Sequence, residues 1–577
     1  MPTSCQKPLD ESAPKENVDP AGPSEDDPSG SSEDDPSGKE DDSGKEDDSG
    51  NQDDSDPKEE DPAFEWPEGS TLVGTVSCGG KGLADVVVSD GYRSTLTDSE
   101  GRWYMASEKK HGYVFVSLPD GYEPPLEGVL PQFYAYVGAQ ERDTVDFVLE
   151  LADQSVMSVY LLGDMHLADK RRDIEQFDDF VSDLNELRKG RKGFALTLGD
   201  MSWDAYWKGF DLQDYLDLMN RKFDDLAVYH TIGNHDHQLD RDGDWDTAEE
   251  YKSILGPTYY SFNAAGCHFV VLDDILCRNS GGTRSSWNEV DDDQMSWLSK
   301  DLSFVDSSVP VVVATHAPLY RQDGGFCIYN GYSLLKLFSK FSRIYFFTGH
   351  MHVSYTTDYQ ISAGYIPVYE SNAGAVCGNW WYMNYDFPEA GVHICSDGTP
   401  GGYKVLEIDN GSLSWYYKGT TRPADYQFRT YDRNNIYLDP EVYCPKASVA
   451  NKEGFRSIAG EYAKKSEDDE VLINVWDYDP LWSISVTENG RELDVERVID
   501  LRDPMYVASF EAYSFEHNYV TDYGSGLSSY YPSSTTNHLF RVRADSPDTP
   551  LEICVKDRFG REYRETMQRP KEFRLEY

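Results

Sequence analysis

The chain has 577 residues and a net charge of −52 at neutral pH. This length exceeds what one hydrophobic core supports, so we expect several domains. The acidic balance argues against a basic nucleic-acid-binding face, and we expect no nucleic acid as a structural partner. The 9 cysteines show no Cys-x-x-Cys spacing and indicate neither a zinc finger nor a disulfide framework. No apolar run reaches the roughly 18 residues that a membrane span requires.

Residues 1–65 are predicted to form a disordered acidic tether. Residues 1–62 repeat short Asp- and Glu-rich motifs and hold 22 acidic residues against 5 lysines. With little apolar surface to bury, such a segment cannot offset the entropy lost on ordering. Pro2-Thr3-Ser4-Cys5 followed by acidic residues resembles the mature start of a bacterial lipoprotein. That resemblance implies a lipid anchor at Cys5 and a periplasmic or surface location in a Gram-negative bacterium; a plain solvated linker is the alternative.

Residues 66–152 are predicted to form a small β-sandwich domain. Short β-branched runs lie at 73–76, 84–89 and 113–117, and Gly- and Asp-rich turn signals separate them. This spacing is typical of a small sandwich. The segment from Asp98 to Tyr104 also resembles carboxypeptidase-regulatory-type sandwich domains. We expect a spacer or docking module here, because no residue pattern indicates chemistry.

Residues 153–375 show alternating strand and helix patterns, which predict an α/β core. A helix is expected from 170 to 189, where apolar residues recur at helical spacing. Buried strands are expected at 156–162, 194–198, 226–232, 268–272, 309–315 and 343–348.

Five of these strands end in side chains that can bind a metal. A single His or Asp at a strand end is more often a cap or a core residue, but five in chain order favour one shared site. Oxygen and nitrogen ligands without thiolate favour two divalent ions of the Mn, Fe, Zn or Mg-like type. The residues are Asp164 and His166, Asp200, the tetrapeptide Gly233-Asn234-His235-Asp236, His316, and His350 and His352.

This ordered set is similar to the calcineurin-like metallophosphoesterase family, over about residues 154–375. The resemblance implies a β-sandwich core flanked by helices and a dinuclear metal-dependent phosphoester hydrolase. It implies that a hydroxide between the two metals attacks phosphorus, with His235, held by Asp236, as the general acid. Whether the phosphoester substrate is a monoester or a diester stays open. The implied ligands are Asp164, His166 and His352 for the first metal, Asn234, His316 and His350 for the second, and Asp200 as the bridge.

Purple acid phosphatases resemble this pattern but place a Tyr ligand where this chain has Trp203. Trp cannot bind a metal ion, so we expect the chain to lie outside that class. His237 matches no ligand position and is interpreted as a substrate contact or a support for the ligands.

Residues 376–402 form an aromatic and Gly-rich junction. It is interpreted either as an inter-domain hinge or as a lid in which Trp380 and Trp381 contact the substrate. Residues 403–577 are predicted to form an all-β domain, because Asn-Gly turns join 403–408 to 412–417 and 482–488 to 491–495. The three-part order resembles multidomain bacterial metallophosphoesterases.

A rival hypothesis makes the two β-domains the working part of the molecule. The chain would then be a surface-displayed lipoprotein that binds a glycan or another ligand. The sequence leaves the oligomeric state open.

Overall fold

The computed structural model describes residues 64–138, 140–170, 172–204, 207–279, 284–360, 365–381, 392–517 and 533–575. Cys5 and residues 1–63 of the predicted tether lie outside these ranges, so the tether and its lipid anchor stay predictions. Within the described ranges, no helix has both the length and the apolar character needed to cross a membrane.

The N-terminal domain consists of short strands in two main sheets. One sheet has the order β11-β1-β12-β7, with β2 and β5 also paired to β1, and the other has the order β10-β6-β3-β4. Apolar side chains from both sheets belong to one hydrophobic cluster, as expected for a sandwich. The strands are β1 Leu72–Cys78, β2 Lys81–Gly82, β3 Val87–Ser89, β4 Ser94–Leu96, β5 Arg102–Met105, β6 Tyr113–Ser117, β7 Tyr122–Glu123, β8 Leu126–Glu127, β9 Leu130–Pro131, β10 Tyr134–Tyr136, β11 Asp143–Thr144 and β12 Phe147–Leu151.

The core is built on two further sheets, of order β15-β14-β13-β24-β25 and β16-β17-β20-β21-β23-β22. Strands β13, β14 and β15 run parallel, as do β17, β20, β21 and β23. The core strands are β13 Val156–Leu162, β14 Gly193–Thr197, β15 Val228–Tyr229, β16 Tyr260–Ala264, β17 Cys267–Val271, β18 Ile275–Cys277, β19 Ser286–Asn288, β20 Val311–Ala314, β21 Ile344–Thr348, β22 Tyr355–Asp358, β23 Val368–Asn372, β24 Gly402–Asp409 and β25 Ser412–Gly419.

Helices cover the core sheets and bury one face each. In α1 the side chains of Phe177, Phe180, Val181 and Leu184 are buried, because residues three and four apart share one side of a helix. The helices are α1 Asp173–Leu187, α2 Leu212–Lys222, α3 Asp244–Thr247, α4 Glu249–Leu255, α5 Asp292–Ser303 and α6 Gly331–Leu337. The predicted α/β core with strand-rich flanking regions is therefore confirmed.

The hairpin formed by β24 and β25 extends the first core sheet. Strand β24 pairs antiparallel with β13, from Val156 opposite Asp409 to Leu161 opposite Lys404. The first core sheet therefore continues to Gly419, and the start of the C-terminal domain at residue 403 stays a prediction. Turn chemistry identified the hairpin correctly, but it carries no information about which sheet the hairpin joins.

The C-terminal domain contains two sheets, of order β26-β27-β31-β30 and β29-β28-β32-β33. It also contains helices at Pro440–Tyr443, Val449–Ala459, Pro504–Tyr506 and Ala512–Glu516, so the prediction of an all-β domain is corrected. The longest of these helices is capped by Ser448, whose hydroxyl accepts the Asn451 N–H at 3.1 Å. The strands are β26 Phe428–Asp432, β27 Glu470–Val475, β28 Ser483–Glu488, β29 Arg491–Leu493, β30 Val495–Val498, β31 Leu539–Arg543, β32 Leu551–Lys556 and β33 Glu562–Met567.

Candidate metal centre

The predicted ligands lie two to five residues after the carboxyl ends of β13, β14, β15, β20 and β21. Because these strands are parallel within their sheets, their carboxyl ends meet at one edge of the core. Five of the ligands have a left-handed backbone conformation. This conformation costs roughly 1–3 kcal/mol for a residue with a side chain, and residues that adopt it are found mainly at functional sites. The five ligands are Asp164 (φ 53°), His166 (φ 45°), Asp200 (φ 56°), His350 (φ 70°) and His352 (φ 49°).

Two glycines let these strand ends approach one another. A Cβ atom at Gly199, where φ is +87°, would lie 2.3 Å from His316 Nδ1. A Cβ atom at Gly233 would lie 2.3 Å from Asp200 Oδ1. Any larger residue would displace these two ligands, so the glycines serve close packing as well as turning.

The first group of ligands is Asp164, His166 and His352, whose ligand atoms all lie within 4.8 Å of one another. Nε2 of His166 is 2.9 Å from Nε2 of His352, which is 3.3 Å from Asp164 Oδ1. Both carboxylate oxygens of Asp164 also accept the backbone N–H of His350 at 3.0 Å. This contact fixes the turn after β21 against the turn after β13.

The second group is Asp200, His316 and His350, again with ligand atoms within 4.8 Å of one another. Asn234 Oδ1 joins it at 3.0 Å from His316 Nε2. Asp200 Oδ2 lies 3.2 Å from His316 Nε2 and 3.5 Å from His166 Nε2. The Asp200 carboxylate therefore stands between the two groups, where a bridging ligand would stand.

The residues of the second group fit a bound cation. Nδ1 of His316 donates to the Leu198 carbonyl at 2.7 Å, so Nε2 is the nitrogen that would bind a metal ion once its proton is displaced. That nitrogen faces Asn234 Oδ1, Asp200 Oδ2 and, at 3.1 Å, Nδ1 of His350. Burial alone would lower the pKa of His316, but the Asp200 carboxylate raises it to about 10, so the site attracts positive charge. Carboxylate, amide and imidazole donors suit a divalent metal ion at this point.

His235 is held by Asp204, which the sequence analysis did not identify. Nδ1 of His235 lies 2.6 Å from Asp204 Oδ1, and Arg284 pairs with the other oxygen of that carboxylate. Burial would raise the pKa of Asp204, but Arg284 and His235 hold it below its ordinary value. Asp204 stands only four residues after Asp200, which was the one available sequence signal; Arg284 lies in a distant segment that no motif marks.

The predicted role of Asp236 is wrong. Its carboxylate accepts backbone N–H groups from Gly233 at 2.9 Å, Asp200 at 2.7 Å and Met201 at 3.0 Å. The turn Asn234–Asp236 is a short 3₁₀ segment, which directs neighbouring side chains apart. Asp236 therefore stabilises the turn that carries Asp200, and it does not hold the neighbouring His235.

The two predicted tryptophans of the junction lie in different environments. The half-buried ring of Trp380 packs over His166, with ring centroids 3.9 Å apart, and beside Trp203 at 4.7 Å. The ring of Trp381 is 1% exposed, and its Nε1 donates to the Met165 carbonyl at 2.6 Å. Trp381 is therefore a core residue and not a substrate contact, whereas Trp380 and Trp203 form an aromatic wall beside the ligands.

His237 points away from the two groups of ligands. Its Nδ1 donates to the Gly233 carbonyl at 2.9 Å, and a ring nitrogen lies within 4.8 Å of ligand atoms of Asp244 and Cys277. The predicted substrate contact by His237 is not supported by this position.

Three models of one protein family match this chain in succession. The model for the N-terminal domain of calcineurin-like phosphoesterases matches residues 70–151, the catalytic calcineurin-like phosphoesterase model matches 157–354, and the C-terminal model matches 370–563. A comparison with curated proteins finds no match.

Solved structures similar to this chain include two phosphatases. Purple acid phosphatase PPD1 from yellow lupin (Lupinus luteus) is 15% identical over 47% of this chain and 52% of its own, with a TM-score of 0.33. This chain thus spans about half of the lupin protein. A dimetal phosphatase from Danio rerio is 14% identical over 46% of this chain and 97% of its own, also with a TM-score of 0.33.

The family matches do not depend on those distant structures. They follow one another from residue 70 to residue 563, and the catalytic match includes every predicted ligand from Asp164 to His352. The chain belongs to the calcineurin-like phosphoesterase family.

Proposed function

We propose that this protein hydrolyses phosphoesters with two divalent cations bound, and that His235 is the general acid. One observation carries the proposal: side chains from five separate strand ends converge in two groups, with Asp200 between them. Asp164, His166 and His352 would hold one cation, and Asn234, His316 and His350 the other. When bound, such a pair of cations activates water and neutralises charge on the phosphoryl oxygens.

His235 is placed to transfer a proton next to these ligands. A ring nitrogen of His235 lies within 4.8 Å of ligand atoms of Asp200 and His166. Asp204 fixes Nδ1 at 2.6 Å, so Nε2 is the nitrogen that faces a substrate. The Asp204 carboxylate fixes the ring so that a proton on Nε2 can pass to the leaving oxygen.

Trp380 and Trp203 would contact the organic part of the substrate. Their rings stand beside His235, with centroid distances of 5.5 Å for Trp380 and 6.5 Å for Trp203. A leaving group that accepts a proton from His235 would thus lie against an aromatic surface. This arrangement favours substrates with a planar or apolar leaving group, in monoesters and diesters alike.

The proposal is tested by metal analysis together with hydrolysis of a chromogenic aryl phosphate. We expect two metals per chain at the dinuclear centre, activity that EDTA removes, and recovery on adding Mn²⁺ or Zn²⁺. Asp200→Asn should lose hydrolysis and both of these metals, because the carboxylate between the groups is lost. Asp224→Asn, which changes an exposed carboxylate, is the matched control and should behave as wild type.

The rival hypothesis of a glycan- or ligand-binding lipoprotein predicts the opposite result. A binding protein would hold no stoichiometric metal pair, and Asp200→Asn would change nothing that the assay measures. A panel of aryl monoesters, bis-aryl diesters, nucleotides and phospholipid headgroups then decides the ester class. Absence of hydrolysis across that panel by the metal-loaded protein would contradict the proposed function.

A further inference from the structure

A second cluster of metal-binding side chains lies behind the turn that carries His235. It comprises His237 after β15, Asp244 in α3 and Cys277 at the end of β18, and a ligand atom of each lies within 4.8 Å of the other two. His237 and Cys277 are buried, and Cys277 is a free thiol. None of these residues is needed by the dinuclear centre.

His237, a member of this cluster, has one unsatisfied ring nitrogen. Its Nδ1 donates to the Gly233 carbonyl, so Nε2 is the nitrogen with the lone pair. Among the described residues Nε2 has no hydrogen-bond partner, although the side chain is 1% exposed. A buried polar atom without a partner costs about 1–3 kcal/mol, so such an atom requires an explanation.

Charged groups of both signs surround the cluster, and the Arg284 guanidinium acts on both His237 and Cys277. Asp273 and Asp291 both act electrostatically on Asp244, and Lys252 and Arg278 offset part of that charge. Asp244 also accepts the backbone N–H of Cys277 at 2.6 Å, which holds the end of β18 against α3. A cation here would gain three donor groups, one each from His237, Asp244 and Cys277.

We propose that His237, Asp244 and Cys277 form a third, mononuclear metal site for a zinc-class ion. One imidazole, one carboxylate and one thiolate make a mixed donor set that zinc accepts, with water in the fourth position. Ligand atoms around a four-coordinate zinc stand roughly 3.3–3.8 Å apart, given bonds of about 2.0–2.3 Å. Separations of up to 4.8 Å therefore close with side-chain shifts of about 1 Å. Binding displaces the Cys277 thiol proton to water.

This site would stabilise the loop next to the dinuclear centre. It joins three segments of the chain: the turn from Gly233 to His237, helix α3 and strand β18. The first of these segments carries both Asn234 and His235. The ion is thus a positioning element and does not contact the substrate.

The test is a titration of the metal-free, full-length protein with Co²⁺, followed by absorption spectroscopy. A thiolate bound to Co²⁺ gives a near-ultraviolet charge-transfer band, and the dinuclear ligands include no thiolate. We expect three equivalents of Co²⁺ per chain, one of which produces this band. Because the readout is metal binding, it stays informative even if the protein hydrolyses no phosphoester.

Four variants assign the band. Cys277→Ser and His237→Ala should each bind one equivalent less, and Cys277→Ser should lose the band. Cys267→Ser removes another buried thiol from a core strand and should keep both features. Cys377→Ser should also keep them; it is needed because Cys377 Sγ lies 3.8 Å from Nδ1 of His352.

Several results would overturn the proposal. A wild-type titration without a thiolate band would do so without any variant, which matters if Cys277→Ser fails to fold. A band that survives in Cys277→Ser, or disappears in Cys377→Ser, would place the thiolate elsewhere. A single band-producing equivalent with no others would retain this site and contradict the dinuclear centre instead.

Discussion

The carboxylate of Asp204 is the group that we expect to control the proton on His235. It touches Nδ1 of His235 at 2.6 Å and is kept ionised by Arg284. Asp204→Asn replaces the carboxylate that fixes Nδ1 of the general acid His235, so kcat/KM should fall about 10²-fold or more for leaving groups of high pKa. Steady-state kinetics on a series of aryl phosphates measures this dependence on the leaving group.

Asp236→Asn is the matched comparison for that variant. Its carboxylate accepts backbone N–H groups around Asp200 and does not touch His235, so we expect lower metal content and an equal loss for all leaving groups. Asp204→Asn should keep its metals. If both variants lost metal alike, Asp204 would be a structural support and its role in proton transfer would be contradicted.

Buried His230 predicts a loss of stability in acid. Burial lowers the pKa of His230 to about 3, and its Nε2 lies 3.2 Å from the Tyr215 hydroxyl. The unfolded chain binds a proton here below its pKa of about 6.5, while the folded chain does not until about 3, so stability falls as pH falls through this window. Between pH 7 and pH 5, the protonation of His230 in the unfolded chain should lower the free energy of unfolding by about 2 kcal/mol.

Denaturant unfolding at pH 7 and pH 5 measures this change in the free energy of unfolding. His230→Gln cannot take up the proton, so its stability should fall by about 2 kcal/mol less than that of the wild type. His517→Gln changes an exposed imidazole and should follow the wild type. Equal pH dependence in all three proteins would show that His230 is not kept neutral by burial.

The ligand positions could be predicted from sequence because each follows a short apolar strand, and four of the five strand ends include a glycine just before a ligand. Strand order and hydrophobic pattern are local signals that place side chains at one edge of a sheet. Hydrogen-bond partners are not local. Asp204 and Arg284 could not be predicted as partners of His235, because they lie in separate loops with no fixed spacing from it. Asp236 was assigned to His235 because the two residues are adjacent in sequence, and adjacent side chains need not contact each other.

At the scale of structural elements, the turn after Cys377 sends two adjacent tryptophans in opposite directions. Trp380 and Trp381 both have a left-handed backbone, with φ of 56° and 60°. Trp380 lies over His166 and His352, while Trp381 stacks on His393 in the core. Trp380→Ala should raise KM several-fold for a substrate with a large leaving group and leave a small phosphoester unaffected. Steady-state kinetics on both substrates is the measurement.

Trp381→Ala should act on stability and not on KM. Truncating a buried tryptophan costs about 3–5 kcal/mol, and here it also removes the donor to the Met165 carbonyl. Thermal unfolding separates the two variants. If Trp381→Ala had normal stability and a raised KM, Trp381 would be a substrate contact, and its assignment to the core would be wrong.

Local sequence signals predict the hairpin of β24 and β25 but not the sheet that it joins. The Asn410-Gly411 turn between two β-patterned runs predicted a hairpin, and one formed with the register Ile408 opposite Leu413. The turn does not indicate which sheet the hairpin joins, because either side of β24 offers the same backbone groups. Pairing with β13 is decided by packing across the whole core sheet, which no window of local sequence contains.

At the scale of the whole molecule, the C-terminal domain is joined to the core by buried ion pairs. Lys404 in β24 pairs with Asp477, which follows β27, and the two side chains are 0% and 1% exposed. Lys404 also donates to the Ser371 hydroxyl at 2.6 Å. Arg558 of the C-terminal domain adds a second link through Asp358 at 2.9 Å. Charge pairs this deep inside a protein cannot be recognised from sequence, since each partner looks like a surface residue.

Lys404→Met should destabilise the protein by about 3–5 kcal/mol, because it leaves the Asp477 carboxylate buried without its partner. The double variant Lys404→Met, Asp477→Leu removes both charges and should recover most of that loss, since the desolvation cost disappears with them. Lys189→Met breaks an exposed pair with Glu186 and should cost less than about 1 kcal/mol. Denaturant unfolding of the three variants, monitored by Trp fluorescence, measures these differences in the free energy of unfolding. If Lys404→Met cost no more than Lys189→Met, the pair would not hold the two domains together, and the double variant would have no loss to recover.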